Sequence, residues 1–227
     1  LGATLDKQPV GTFGDAAIFS LGRGKLLNTL GGGLCVVHDP HVAVRLNEDV
    51  NRLPATGTRR VLKEVVLEGV IEAGTFPAVF GTFAMPAIRL ARRFGRDPMS
   101  QLFEDDKEAM TAIPSAMKRR LSNLQAAFGC AGLAAFDRGL ARRRDNAEYL
   151  RSELDGVVAM QRPVSGSNPA WLELTAIVND REGFQQALLE KGVDTQRAWM
   201  DACDALPAFA NALNAPCEAS RRIARGA

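Results

Sequence analysis

A single lysine, Lys25, lies between a short apolar run and a cluster of glycines near the start of the sequence. The apolar run at residues 16–19 predicts a buried strand that ends at Ser20, and a second apolar run begins at Leu34. Lysine is rarely buried without a partner, so an amine at the end of a strand needs a chemical explanation. The spacing leaves three explanations open: a phosphate clamp, a solvated loop residue, or a nucleophilic amine that forms a Schiff base with a carbonyl cofactor.

The neighbouring residues narrow the kind of phosphate site that Lys25 can belong to. The pattern GxxxxGK[ST] of a P-loop is absent, so a nucleotide site of that type is not predicted. In the cofactor interpretation, the hydroxyl of Ser20 would contact a phosphate group of the cofactor.

Metal and disulfide chemistry receive little support from the sequence. His38 and His41 form an HxxH pair, but no carboxylate or cysteine cluster accompanies them, so no metal site is predicted. The four cysteines include no CxxC pair and favour a reducing, cytoplasmic environment, as does the lack of a signal-peptide pattern. They are Cys35, Cys130, Cys203 and Cys217.

The composition is that of an ordinary globular protein. Of 227 residues, 46% are hydrophobic and 24% are charged, and the formal net charge is +2. That charge gives no indication of nucleic-acid binding. The local arginine runs at residues 119–120 and 142–144 are interpreted as solvated helix faces.

The pattern of apolar residues predicts an α/β chain with a helical middle. Short strands occupy residues 1–38, and Asp39-Pro40 is typical of a helix start. Helices are predicted over residues 42–53 and 59–73, separated by Pro54 and Gly57. The second helix carries one broad apolar stripe. Its members are Val61, Leu62, Val65, Val66, Gly69 and Val70.

Residues 75–95 are the most apolar part of the chain. The uncharged stretch of about 15 residues is shorter than the ~20 that a spanning helix needs. A buried or partner-facing helical pair is one interpretation. The other is an interfacial patch in which Arg89, Arg92 and Arg93 meet lipid headgroups.

A long helix is predicted from Ser115 to Leu154, and an α/β lobe follows it. Gly129 and Gly132 would allow a neighbouring element to approach this helix closely. Its apolar face is predicted from Leu121, Leu124, Phe128, Ala131 and Ala135, and Leu140, Ala147, Leu150 and Leu154 continue it with a shift of register. Strands are expected at residues 157–160, at 171–178 and from residue 193, with helices at 181–191, ended by Gly192, and at 218–225.

The run GTFGDAAIFSLGRGKLLNTLGGGLCVV resembles the cofactor-lysine region of the DegT/DnrJ/StrS family of pyridoxal-phosphate-dependent sugar aminotransferases. Gly14-Asp15, Phe19-Ser20, Lys25 and Gly32-Gly33 match the family's order and spacing. The resemblance implies that Lys25 is the catalytic Schiff-base lysine and that Ser20 binds the cofactor phosphate. The sequence departs from the family pattern at Gly31, where an acidic residue is usual.

A second block, from Arg120 to Gly129 and on through residues 142–154, resembles the family's helix between the large and small domains. Lys118 stands where the family commonly has an asparagine that reaches a partner subunit's phosphate, and a lysine still binds phosphate as a point charge. The resemblance implies a large-domain part at residues 1–113, with a helical insertion at about 74–113. Residues 114–227 then form the linking helix and a small α/β domain.

The fold implied is part of the pyridoxal-phosphate-dependent transferase fold, with a mixed, mostly parallel sheet. The implied reaction moves an amino group, from glutamate as in the family, to a nucleotide-linked keto sugar in amino-sugar or polysaccharide biosynthesis. The implied assembly is a homodimer. The chain is expected to be a fragment that lacks the N-terminal half of the large domain. The rival interpretations are an inactive or non-catalytic domain of the same fold and a sugar dehydratase, although such dehydratases carry histidine in place of the lysine.

Overall fold

The computed structural model describes residues 1–94, 112–196, 202–206, 209 and 216–226. They fall into two compact units. The first consists of Leu1–Glu68, Ala112–Leu154 and Gln161–Leu174, and the second of Gly69–Thr111, Asp155–Met160 and Thr175–Ala227. The predicted domain boundary near residue 113 stays a prediction. Within the expected insertion at about 74–113, residues 95–111 lie outside the described residues.

The elements alternate in type along the chain. The strands are β1 (Thr4–Leu5), β2 (Gln8–Pro9), β3 (Ala16–Ser20), β4 (Gly33–Val37), β5 (Ala159–Met160), β6 (Ser167–Asn168) and β7 (Ala176–Ile177). The helices are α1 (Pro40–Arg52), α2 (Thr58–Thr75), α3 (Pro77–Val79), α4 (Met85–Arg93), α5 (Asn123–Leu154), α6 (Arg181–Glu190) and α7 (Glu218–Gly226). A π-helical turn at Phe80–Ala84 joins α3 to α4, and a 3-10 turn spans Cys203–Ala205. The predicted α/β class is confirmed.

The strand pairing differs from the mostly parallel sheet that was expected. Among the described residues, β1 pairs with β2 and β6, β3 with β4, and β5 with β7, and each of these pairings is antiparallel. The strands β3 and β4 follow each other through the loop at residues 21–32. Parallel partners need a crossover connection that such a loop does not provide.

The start of α1 follows its predicted cap. The carboxylate of Asp39 accepts hydrogen bonds from the backbone N–H groups of His41 and Val42, at 2.7 and 3.3 Å. Pro40 occupies the first helical turn, where a missing N–H costs nothing. The local signal alone was therefore sufficient to place this helix.

Helix α5 begins eight residues later than predicted, at Asn123 instead of Ser115. Ser122 and Gln125 form a reciprocal cap: the Gln125 Oε1 accepts from the Ser122 N–H at 3.1 Å, and the Ser122 Oγ accepts from the Gln125 N–H at 3.3 Å. This Ser-x-x-Gln capping box fixes the helix start. Residues 115–118 form a turn instead.

The buried face of α5 is only partly the predicted one: Leu140 and Ala147 are buried as predicted. Leu124 and Phe128 are exposed, at 37% and 38%. The buried positions are Gln125, Gly129, Leu140 and Ala147. In its first half the helix therefore packs through Gly129, which has no Cβ and allows closer contact than leucine or phenylalanine, and in its second half through Leu140 and Ala147.

The arginine run at residues 142–144 is only partly solvated. Arg142 is exposed as predicted. Arg144 instead donates hydrogen bonds to the carbonyl oxygens of Gly2 and Pro169, at 2.7 and 3.1 Å. It thereby connects α5 to the first residues of the chain and to the segment after β6. The interpretation of the whole run as a solvated face is wrong for Arg144.

In the second unit, the helical segment from α3 to α4 packs on α6. Met85 and Ile88 form a small core with Leu189, which is fully buried at 0% exposure. The guanidinium of Arg89 donates to the carbonyl oxygens of Leu189 and Glu190. These carbonyls lie at the C-terminal end of α6, where backbone acceptors lack helical partners.

The strands of the predicted α/β lobe that follows α5 are shorter than expected. The structure reduces the predicted strands at 157–160 and 171–178 to β5 and β7, and residue 193 begins no strand. Helix α6 agrees with its prediction. The Asp180 carboxylate caps it through the Gly183 N–H, and Gly192 follows it with a φ of +85°.

Among the described residues, no single helix has the length and hydropathy to cross a membrane. One bent pair, Thr58–Thr75 with Pro77–Ala91, meets both criteria only when taken together, with a bend of 66° at the break.

Candidate functional site

The loop between β3 and β4, residues 21–32, carries Lys25 and is called the lysine loop below. Its base is closed by backbone hydrogen bonds: Leu21 N–H donates to Gly32 O at 3.0 Å, and Thr29 N–H donates to Leu21 O at 2.9 Å. Lys25 lies in a tight turn in which its own N–H donates to Gly22 O at 3.2 Å. Gly24, with a φ of +75°, supplies the left-handed conformation of that turn.

Residues that precede and follow Lys25 in the sequence are buried and thereby hold the lysine loop in place. Leu21 and Leu27 are buried, and Thr29 is only 2% exposed. The Thr29 hydroxyl donates to the carbonyl of Gly31 at 2.9 Å, which satisfies a polar group that burial would otherwise penalise. Lys25 itself is half-buried.

Helix α5 lies directly against the lysine loop at its two glycines, Gly129 and Gly132. A Cβ on Gly132 would lie 2.7 Å from Leu27 Cδ1, and one on Gly129 would lie 3.1 Å from Thr29 Cγ2. Neither position has room for a larger side chain unless its neighbour moves. The prediction that Gly129 and Gly132 permit close approach is confirmed.

The glycine turn that ends the lysine loop has three consecutive residues with positive φ. They are Leu30 at +61°, Gly31 at +103° and Gly32 at +96°. Leucine rarely adopts this conformation, and here the Asn28 side-chain oxygen accepts from the Leu30 N–H at 2.8 Å. Gly31 and Gly32 have the backbone freedom that the turn needs.

Charged residues of α2 contact the lysine loop from another direction. Arg23 donates from Nε to Glu68 and from Nη2 to Glu64, each at 2.9 Å. Asn28 Nδ2 also donates to Glu68, at 3.2 Å. Neither Glu64 nor Glu68 was predicted as a site residue. Their four-residue spacing places them on one face of a predicted helix, but Glu72 continues the same spacing, so the spacing does not distinguish them.

Of the three predicted site residues, two lie on the β3–β4 hairpin and one lies in the turn before α5. Ser20 ends β3 with its side chain exposed, so Ser20 and Lys25 lie on the same hairpin. Lys118 is exposed in the turn at residues 115–118. Three residues later, Leu121 contacts the base of the lysine loop, with its Cδ2 2.5 Å from a Cβ placed on Gly32. The roles of Ser20, Lys25 and Lys118 stay predictions.

The residues of the lysine loop fit a cofactor that carries both a carbonyl and a phosphate. A half-buried amine and an exposed hydroxyl lie on one hairpin, which is the donor set that such a group needs. A Cβ placed on Gly24 would meet nothing within 4 Å, so there is open space next to Lys25. The described residues contain no group of three or more His, Cys, Asp or Glu side chains that could hold a metal ion.

Two residues of the second unit, Asp204 and Cys217, have lowered pKa values. The backbone N–H of Cys217 and then the Arg221 guanidinium lower the pKa of Asp204 below its usual 3.8. Hydrogen bonds with Ser220 lower the pKa of the Cys217 thiol. These residues tie the start of α7 to the turn at Cys203–Ala205.

The sequence matches one protein-family model over residues 1–70 and 84–227, that of the DegT/DnrJ/EryC1/StrS aminotransferase family. The unmatched residues, 71–83, include the end of α2, all of α3 and most of the π-helical turn. No curated protein matches the chain in sequence.

Several solved structures share the fold. The sugar aminotransferase CalS13 from Micromonospora echinospora is 23% identical, with a TM-score of 0.60, over 99% of this chain and 49% of its own. DesI, solved with its TDP-sugar product, is 20% identical, with a TM-score of 0.60, over 99% and 46%. GDP-4-keto-6-deoxy-D-mannose-3-dehydratase from E. coli, with hydrated PLP, is 17% identical, with a TM-score of 0.52, over 87% and 43%. The chain therefore spans about half the length of the structures it matches.

Proposed function

The chain belongs to the DegT/DnrJ/EryC1/StrS aminotransferase family, and from this premise we propose that it carries the cofactor lysine of a pyridoxal-phosphate-dependent sugar aminotransferase. The observation that carries the proposal is the lysine loop. Its half-buried amine, Lys25, is fixed between a closed strand pair and helix α5. Such a rigid, partly desolvated position is what a nucleophilic lysine needs.

Each predicted residue has a separate task in this proposal. Lys25 Nζ would hold the cofactor through its carbonyl, and as a free amine it would accept the proton from the α-carbon of the amino donor. The Ser20 hydroxyl binds the cofactor phosphate, and Lys118 contributes positive charge to a phosphate, in the homodimer that of the partner subunit. Pyridoxal phosphate, when bound, supplies the electron sink for this chemistry.

The proposed substrates are a nucleotide-linked keto sugar and an amino donor, with glutamate as the donor. The TDP-sugar in the DesI structure supports the nucleotide sugar by analogy within the fold. The proposed setting is amino-sugar or polysaccharide biosynthesis by a cytoplasmic homodimer.

The test of this proposal is covalent trapping on Lys25. The gene product that carries this chain is incubated with pyridoxal phosphate and borohydride, and its peptides are analysed by mass spectrometry. We expect the reduced cofactor on the peptide that contains Lys25. Lys25→Ala is expected to abolish trapping and to lower transamination by about 10²–10⁴-fold, the usual contribution of a positioned acid–base group.

Lys63→Ala is the matched control, because Lys63 is exposed on α2 and has no proposed role. It should trap cofactor as the unchanged protein does. Trapping on any other lysine, or full transamination by Lys25→Ala, would overturn the proposal. Failure of the unchanged protein to trap cofactor would favour the inactive or non-catalytic interpretation.

The related dehydratase structure makes sugar dehydration the second candidate reaction. Lys25 opposes it, because the resemblance associates the dehydratases with histidine at this position. Incubation with a keto sugar nucleotide and glutamate separates the two, since only transamination consumes glutamate and yields an amino sugar.

We also propose a weak membrane-surface contact through residues 75–95. The side chains of Phe76 and Phe83 are 62% and 74% exposed, which is unusual for phenylalanine. Arg93 is exposed and available to an anionic headgroup, whereas Arg89 is bound to the end of α6. The side chain of Arg92 and the residue Gly95 lie outside the described residues.

Sedimentation with anionic vesicles tests this contact. We expect a small bound fraction that decreases with salt and is lost in a Phe76→Ser, Phe83→Ser double variant. Val164→Ser is the control, since Val164 is equally exposed, at 73%, and lies outside the segment. Equal sedimentation of the unchanged protein and the double variant would contradict the proposal.

A further inference from the structure

The two sides of Lys25 are joined by one carboxylate of α2. Arg23 lies two residues before the lysine and Asn28 three residues after it. Both donate to the same atom, Glu68 Oε1, from Arg23 Nε at 2.9 Å and from Asn28 Nδ2 at 3.2 Å. The backbone bonds of Leu21 and Thr29 hold the base of the lysine loop together. The shared contact with Glu68 adds a second connection, made by side chains, between the residues before and after Lys25.

A second nitrogen of the Arg23 guanidinium is also bound. Its Nη2 donates to Glu64 Oε2 at 2.9 Å, so two carboxylates one helical turn apart bind the edge of the guanidinium that Nε and Nη2 form. The three charged side chains are only 30%, 31% and 21% exposed, for Arg23, Glu64 and Glu68. Partly buried charge pairs are screened less by salt than surface pairs.

The same contacts reach the glycine turn. Asn28 donates to Glu68 with its amide nitrogen and accepts from the Leu30 N–H with its amide oxygen, at 2.8 Å. That second bond supports the positive φ of Leu30, a conformation that leucine disfavours. Glu68 thus orients Asn28, and Asn28 in turn holds the start of the turn.

From these contacts we propose that Glu68 is a positioning residue for Lys25. Glu68 binds Arg23 and Asn28 at once and thereby fixes the lysine loop at the point where the amine must meet its cofactor. Glu64 has a lesser role, since it holds Arg23 alone. This inference rests on the proposed function of Lys25, but the order of the loop can be measured without any cofactor.

Three substitutions on one helix test the proposal: Glu64→Gln, Glu68→Gln and Glu72→Gln. They remove the same charge at successive turns of α2 and leave the side-chain volume unchanged. Glu72 is exposed and serves as the matched control. Glu68→Asp, which restores a carboxylate on a shorter side chain, tests for partial rescue.

The first measurement is amide hydrogen exchange of the gene product without cofactor. In Glu68→Gln we expect about tenfold faster exchange at the Lys25 and Leu30 amides, because the loop opens locally. The Thr29 amide, bonded to Leu21 O at the base of the loop, should keep its rate. A general loss of stability would instead accelerate all three amides together.

The second measurement is the rate of borohydride trapping of pyridoxal phosphate on Lys25. We expect a loss of about ten- to a hundredfold in Glu68→Gln, the range that a small displacement of a reacting group produces. The trapping rate should fall less in Glu64→Gln and should stay unchanged in Glu72→Gln. Glu68→Asp should trap faster than Glu68→Gln but more slowly than the unchanged protein. Saturating cofactor should not restore the rate, because the lysine is displaced and the phosphate site is intact.

The outcomes separate this inference from the proposed function. Normal trapping by Glu68→Gln, with unchanged exchange at Lys25 and Leu30, would overturn the positioning role and leave the function standing. Equal effects in Glu72→Gln would also overturn it, since charge on the helix and not the contact would then be responsible. Absence of trapping in the unchanged protein would overturn the function and, with it, the positioning of a catalytic lysine.

Discussion

The lysine loop and the apolar segment at residues 76–94 are held in place by different kinds of contact. The loop is fixed by directional bonds: backbone pairs at its base, the Thr29 hydroxyl beneath it and the Glu68 carboxylate above it. The apolar segment is fixed by packing of Met85 and Ile88 on Leu189, with one polar attachment, that of Arg89 to the carbonyl oxygens of Leu189 and Glu190. It leaves large apolar side chains exposed.

The family boundary divides the apolar segment. The lysine loop and the packed residues Met85 and Ile88 lie within the part of the chain that matches the family model, whereas residues 71–83, with the exposed Phe76 and Phe83, do not match it. Directional bonds fix the position of an atom within narrow limits, as chemistry at Lys25 would require. Apolar packing only keeps a surface in place, which is sufficient for contact with another apolar surface. The two regions should therefore respond differently to substitution.

The largest effect on stability is expected in the core beneath the apolar segment. Leu189→Ala should lower the free energy of unfolding by about 2–5 kcal/mol, because it leaves a cavity against Met85 and Ile88. Val193→Ala is the control, since Val193 is 49% exposed, and it should cost under about 0.5 kcal/mol. Denaturant unfolding measures both. Equal costs would mean that Leu189 does not hold the segment.

The lysine loop should also depend on the buried Thr29 hydroxyl. Thr29→Val keeps the shape of the side chain and removes its bonds to Gly31 O at 2.9 Å and to Leu21 O at 3.4 Å. The expected loss is about 0.5–1.5 kcal/mol in denaturant unfolding, because each carbonyl keeps another donor, Gln125 Nε2 or the Thr29 N–H.

Thr12→Val is the matched control for this substitution. The Thr12 hydroxyl also donates to a backbone carbonyl, that of Pro9 at 2.8 Å, but in an exposed position. Water replaces that bond, so the cost should stay within about 0.5 kcal/mol. If the two variants lose equal stability, burial is not what makes the Thr29 bond important.

The sequence predicted the lysine loop better than its surroundings, because its signals are local. Strand, glycines and lysine follow one another within a few residues, and the caps at Asp39 and Asp180 lie next to the helices they start. The start of α5 was misplaced although its signal is also local. Two serines were available, and only Ser122 has a glutamine three residues later.

The contacts of Glu68 could not be read from the sequence in the same way. Glu68 meets Arg23 and Asn28 across 45 and 40 residues, and nothing local distinguishes it from other helical glutamates. The packing face of α5 was predicted only in part. The two glycines, Gly129 and Gly132, do allow close approach as predicted, but side-chain hydrophobicity also indicated Leu124 and Phe128, which are exposed.

Acid should weaken the polar anchor of the second unit. The pKa of Asp204 is lowered from 3.8, first by the Cys217 N–H and then by Arg221, so its ionised form favours the folded state. This stabilisation is complete above the unfolded pKa and is lost as the pH falls through the lower, folded pKa. The difference in stability between the unchanged protein and Asp204→Asn should therefore shrink on going from about pH 6 to about pH 2. A difference that grows in acid would contradict this assignment.

The smallest effect on stability is expected on the exposed side of the apolar segment. Phe83 is 74% exposed, so Phe83→Ser removes little buried area and should change the free energy of unfolding by less than about 0.5 kcal/mol. Ile88→Ser, on the buried side of the same segment, supplies the contrast in denaturant unfolding. It should cost several times more, because it places a hydroxyl against Met85 and Leu189. A large loss of stability in Phe83→Ser would mean that this side chain is covered in solution by another surface, and the exposed apolar face would then be an interface instead of a free surface.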